Sequence, residues 1–192
     1  MLIENIFSSF LASTYIQPTT ELIDYALSTV SNDQNSRKDK VNQSNFLDLS
    51  VPPIKEITDQ VQRHFNDIHL KIGLAKTHSQ IVSEAWFNIG NNLNIDSPHC
   101  HPGRVFSAVY YLATHDYCGD LIFINPNDSL VHTIHPTFVK SYNCFNSHNF
   151  KICPRTGLLV IFPSYLQHYV RLNSGGERIS LAFNSQITEK CL

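Results

Sequence analysis

Leu22, Ala26 and Val30 recur every fourth residue, and Ile54, Ile57, Val61, Phe65 and Ile68 step by 3, 4, 4 and 3. Both spacings lay an apolar stripe along a helix, so the pattern predicts helices over residues 20–30 and from Pro52-Pro53 onward. Thr19 or Thr20 can cap the first, because a hydroxyl satisfies an N–H group that the opening turn leaves unpaired. Proline at the start of the second costs no hydrogen bond, and Gly73 stands where that helix should end. Between the two, residues 31–46 (SNDQNSRKDKVNQSNF) have no apolar period and read as a mobile loop.

After residue 78 the period falls to two. Short runs rich in aromatic and β-branched residues predict strands over 80–89, 104–112, 119–124, 136–142, 157–162, 168–173 and 177–184, with Pro, Gly, Asn and Asp between them. Strands in series without intervening helices predict a sandwich, jelly roll or barrel. In 177–184, Ile179, Leu181 and Phe183 share one face and Arg178, Ser180, Ala182 and Asn184 the other. The apolar face needs a cover. The two helices can supply it from outside, which leaves the polar face looking into the barrel. The chain is thus expected to divide into a helical segment over 1–75, packed on a β core over 76–192.

Composition narrows the picture. The 192 residues are 42% hydrophobic and 16% charged, which suits a folded chain. The net charge of −2 gives no footprint for nucleic acid, and no apolar run is long enough to span a membrane. The opening residues MLIENIFSSFLAST have no basic stretch and include Glu4, so a secretory signal is not expected. Five cysteines without a CxxC pair suggest reduced thiols and a cytoplasmic location.

Two stretches could carry chemistry. In Pro98-His99-Cys100-His101-Pro102, extended backbone points His99 and His101 to one side and Cys100 to the other. Neutral imidazoles suit Fe, Zn, Cu or Ni, although such a pair alone is weak evidence and also fits plain loop histidines. The second stretch runs from Phe162-Pro163-Ser164 to His168 and then, ten residues later, to Arg178-Ile179-Ser180. An arginine facing into a barrel is costly unless it meets an anion. That anion is either an internal carboxylate or a bound one, with the Ser180 hydroxyl as a second donor. Taken together, two early histidines, one late histidine and a fixed cation make a three-ligand metal face beside a carboxylate site.

From Ser83 to Asn184 the chain resembles the 2-oxoglutarate- and Fe(II)-dependent oxygenases, closest to the prolyl-4-hydroxylase-like branch. The matching stretches are Ala85-Trp86-Phe87-Asn88, His99-Cys100-His101-Pro102, Ser107-Ala108-Val109-Tyr110-Tyr111-Leu112, Gly119-Asp120-Leu121-Ile122-Phe123, Phe162 to His168, and Arg178 to Asn184. The resemblance implies a double-stranded β-helix, a cupin-like jelly roll, with helices on the outer face of one sheet. It implies Fe(II) held by His99 and His168, and 2-oxoglutarate held by Arg178 with Ser180, Tyr111 and Asn88. It further implies O2-dependent hydroxylation of a substrate C–H, with release of succinate and CO2. The substrate is open among a peptidyl proline or another peptide side chain, a small metabolite and a nucleobase. Trp86, Phe106, Tyr110 and Phe123 are candidate walls, and residues 31–46 and 127–150 candidate lids. One position departs from the family's pattern: His101 stands where Asp or Glu is usual. Three outcomes follow from that: a three-histidine iron site, a two-histidine site completed by water, or metal binding without turnover. A cupin-like His-only metalloenzyme that does not use 2-oxoglutarate is the competing reading.

Overall fold

The computed structural model describes residues 1–4, 6–32, 42–90, 96–127 and 133–190. Ten strands and two helices follow in the order β1 (Ala12–Tyr15), α1 (Thr20–Asn32), β2 (Asn42–Gln43), α2 (Ile54–Lys71), β3 (His78–Gly90) and β4 (Asp96–His99). Then come β5 (Phe106–Ala113), β6 (Leu121–Ile124), β7 (Asn149–Ile152), β8 (Leu158–Pro163), β9 (His168–Val170) and β10 (Arg178–Glu189). The strands form two antiparallel sheets, one in the order β1-β8-β5-β10-β3-β2 and the other β4-β9-β6-β7. This is the double-stranded β-helix expected from the sequence. No helix among the described residues is long and apolar enough to cross a membrane.

The predicted helices form for the predicted reasons. The Thr19 hydroxyl accepts the Leu22 N–H at 3.2 Å, closing the first turn of α1. At the end of α2 the chain turns through Gly73, whose φ of +82° suits a residue without a side chain. There the Gly73 N–H reaches the Leu70 carbonyl and the Leu74 N–H the His69 carbonyl, so the last carbonyls are satisfied.

Packing follows the two periods. Leu22, Ala26 and Val30 of α1 and Ile57, Val61 and Phe65 of α2 bury against Ile179, Leu181 and Phe183 of β10. Each large side chain buried there is worth about 1.5–3 kcal/mol, which explains how two helices stay fixed on one sheet face. A second apolar cluster joins Tyr111, Leu121, Phe123, Val160, Phe162 and Leu166, drawn from both sheets.

Three expectations need correction. Residues 136–142 are not a strand: Pro136–Phe138 form a single 3-10 turn, stabilised by the His135 ring accepting the Thr137 N–H. The strand beyond β6 at the sheet edge is instead β7, where Asn149 to Ile152 run opposite Ile124 to Leu121. The expected loop over 31–46 also ends early, because Asn42 and Gln43 pair with Ile89 and Asn88 of β3. Residues 33–41 of that stretch lie outside the described residues. Finally, Phe106 and Tyr110 do not wall the inner site. They pack under the helices, with the Phe65 ring 5.9 Å from Phe106 and the Tyr110 hydroxyl donating to the Ile16 carbonyl.

Candidate metal centre

β4 and β9 pair so that His99 lies directly opposite His168, and their ring centroids are 4.4 Å apart. His101 follows just past the end of β4. Its backbone N–H donates to the Ser164 carbonyl at 2.9 Å, which holds it beside the turn between β8 and β9. The His101 ring sits 5.3 Å from His99 and 5.2 Å from His168. One ring nitrogen from each histidine falls within 4.8 Å of the other two. Two imidazoles from one short stretch and a third from far along the chain therefore converge on one point.

Their hydrogen bonds suit them to bind a metal. Nδ1 of His99 donates to the Ser97 carbonyl at 2.8 Å, and Nδ1 of His168 donates to the Leu166 carbonyl at 2.9 Å. A carbonyl can only accept, so the proton is on Nδ1 and the Nε2 lone pair is free. Burial pushes the His168 pKa down to about 3 and that of His101 down to about 4, both also through the charge His99 would carry. Both rings are thus neutral at ordinary pH, the state a metal requires. The Phe162 ring lies 4.8 Å from His168, and Trp86 lies 5.8 Å from His101.

The three histidines open onto a cavity of about 600 Å³ whose lining also includes Asn88, Tyr111, Arg178 and Ser180. Ser180 on β10 stands opposite Asn88 on β3 and Tyr111 on β5. The three side chains thus form one polar row across adjacent strands. Arg178 begins β10 and is 4% exposed. Among the described residues its guanidinium reaches only the Cys118 and Gly119 carbonyls, at 3.4 and 3.5 Å, and its buried Nε has no partner. Among the described residues no carboxylate pairs with it. A buried cation in this condition calls for an anion from outside the chain. Burial also pushes the Tyr111 hydroxyl up, so it stays protonated and can donate. The donors present therefore fit a divalent metal on the histidines and a carboxylate on Arg178.

The sequence expectations fare unevenly. His99, His101, His168, Arg178, Ser180, Tyr111, Asn88 and Trp86 all line the cavity, as does Cys100. Gln43 and Phe46 reach it from the stretch 31–46, whereas no described residue of 127–150 does. Sequence reasoning missed Glu84 and Arg104, and set Asn184 on the inward face without giving it a role; the three form a polar network in the same cavity. The signal for Glu84 was available: it precedes Trp86 and Asn88 at intervals of two on one strand.

Comparison with known proteins decides the family. The profile described as "Putative 2OG-Fe(II) oxygenase" matches residues 84–184, more than half of the chain. The chain belongs to the 2OG-Fe(II) oxygenase family. Solved structures share its fold. An oxidoreductase of this family from Burkholderia pseudomallei superposes with a TM-score of 0.62 at 12% identity, covering 93% of this chain and 84% of that one. A prolyl-4-hydroxylase from Pseudomonas putida gives 0.58 at 17% identity, over 92% and 91% of the two chains. The viral collagen prolyl hydroxylase of Paramecium bursaria Chlorella virus-1, solved with 2-oxoglutarate, gives 0.56 at 13% identity over 94% and 96%. No curated protein sequence matches the chain. As a member of this family the protein is an oxygenase that uses Fe(II) and 2-oxoglutarate.

Proposed function

We propose that this oxygenase hydroxylates a C–H bond of a peptide side chain or small metabolite, with His99, His101 and His168 holding Fe(II). Bound together, Fe(II) and 2-oxoglutarate supply O2 activation coupled to decarboxylation, yielding succinate and CO2. The chain's own residues bind and orient. The Nδ1–H bonds of His99 and His168 to backbone carbonyls fix both rings with Nε2 toward the metal. Arg178 receives the co-substrate carboxylate remote from the metal, and the Ser180 and Tyr111 hydroxyls and the Asn88 amide lie within the same cavity to orient it. Phe162, Trp86 and Phe123 exclude water around the rings of His168 and His101. The four described cysteines are free thiols, which supports a reducing, cytoplasmic setting.

The observation that carries this reading is the buried Arg178, which meets no carboxylate among the described residues and lies in the cavity that the three histidines share. The test is Fe(II)-dependent formation of succinate from 2-oxoglutarate, with no primary substrate required. Wild-type protein should form succinate, and His168→Ala should form none and retain no iron. Iron uptake by the wild type without any succinate would leave a metal-binding protein on this scaffold and end the proposal.

A further inference from the structure

The cavity holds a carboxylate that the reaction above does not use. Glu84 stands on the inner face of β3, and its side chain is only 15% exposed. Arg104 grips it with two groups, Nε to Oε2 at 3.0 Å and a guanidinium NH2 on Oε1. Asn184 adds a third donor, its Nδ2 reaching Oε2 at 2.9 Å. Asn184 is itself fixed, because its Oδ1 accepts the Ser107 hydroxyl at 2.8 Å and that hydroxyl meets the Ser164 hydroxyl at 2.8 Å. The same Asn184 amide lies 3.5 Å from Nδ1 of His101. A half-buried acid is thus held, one residue removed, against one of the three histidines.

Charge gives this arrangement a purpose. Three neutral imidazoles bring no negative charge to a divalent cation. The other nearby acid, Asp96, lies 3.7 Å from Nδ1 of His99, but it is 45% exposed and its field is screened by water. Glu84 is the more enclosed of the two and acts through a drier medium. Hydrogen bonding from Arg104 holds its carboxyl below the usual range, so it is charged at neutral pH.

We propose that Glu84 is a positioning residue for the metal centre: it anchors Asn184 against His101 and supplies the negative charge that the three-histidine set lacks. The inference rests on the three histidines being the ligands. Arg104 then has the opposite effect on the site, since its charge opposes a bound cation and offsets that of Glu84.

The opposition of signs makes the test. Mn(II) affinity of the full chain is measured by calorimetry, with Co(II) absorption as a second readout of ligand geometry and thermal melting in EDTA as a control for folding. Glu84→Gln should weaken Mn(II) binding about 10-fold or more and alter the Co(II) spectrum. Arg104→Gln should leave affinity unchanged or raise it, although it breaks the same ion pair and costs similar melting temperature. A merely structural ion pair would give equal losses in both variants, and that result overturns the proposal, as does unchanged affinity in Glu84→Gln. Should Glu84→Gln fail to fold, Arg104→Gln alone decides, because weaker binding there contradicts the charge argument. Failure of the underlying site looks different: wild-type protein would bind no Mn(II), or His168→Ala would bind it undiminished.

Discussion

Arg178 shows how much one side chain can report. A buried guanidinium with an unpartnered Nε is a cost to the free protein, and the cost is recovered only when a carboxylate arrives. Two consequences follow, of opposite sign. Arg178→Met should leave the apoprotein at least as stable as wild type in thermal melting, since it removes an uncompensated charge. It should also weaken 2-oxoglutarate binding about 30-fold or more by calorimetry, because charge-assisted hydrogen bonds are each worth about 1.5–3 kcal/mol. Mn(II) affinity should not fall. A variant that keeps full co-substrate affinity would remove Arg178 from the site. Arg178→Lys should rescue little, because an ammonium cannot present the planar fork that meets both carboxylate oxygens. This residue was legible in the sequence because alternation along 177–184 placed it opposite Ile179. Glu84 was not singled out. Its importance depends on Arg104 and Asn184, which reach it from 20 and 100 residues away.

At the scale of elements, period and phase decided what could be read. The helices were legible because the buried stripes of α1 and α2 keep a regular spacing and end at recognisable residues, Thr19 and Gly73. β10 was legible for the same reason. β5 shows where phase matters: Phe106 and Tyr110 belong to the helix-side face, while Tyr111, one residue on, faces the cavity. An aromatic count cannot make that distinction, whereas a period of two can. β4 was hidden, because it is four residues long, includes Pro98 and exists through its pairing with β9. Composition over 136–142 suggested a strand, yet the Pro136 turn is set by local capping instead. The division of labour between sheet faces is testable. Phe65 is fully buried on the outer face, against Phe106 and away from the cavity lining. Phe65→Ala should cost about 3–5 kcal/mol in denaturant unfolding. The fraction still folded should bind Mn(II) and 2-oxoglutarate as the wild type does. Lost ligand affinity in folded protein would show that the helices do more than cover the sheet.

For the molecule as a whole, the buried His168 and the half-buried His101 couple stability to pH. His168 and His101 titrate at about 3 and about 4 in the folded protein, chiefly because burial disfavours their charged forms. In the unfolded chain an imidazole takes up its proton near pH 6.5. Their folded pKa values are lowered, so the unfolded state binds more protons as pH falls below about 6.5. The stability they contribute is complete above that value and drains away toward pH 4 and below, by up to about 1.4 kcal/mol per pH unit for each ring. Carboxylates such as Glu84, whose folded pKa is also lowered, act below their own ordinary range and leave the upper part of this window to the histidines. Melting temperatures of the metal-free protein, taken in EDTA between pH 7.5 and 5, should therefore fall with pH. His168→Gln should flatten that slope, because it removes the more deeply buried ring. Bound metal should steepen it, since every ligand must shed its proton before the ion can bind. A melting curve indifferent to pH in this range, with and without Mn(II), would mean that the His101 and His168 rings are not held neutral at the site.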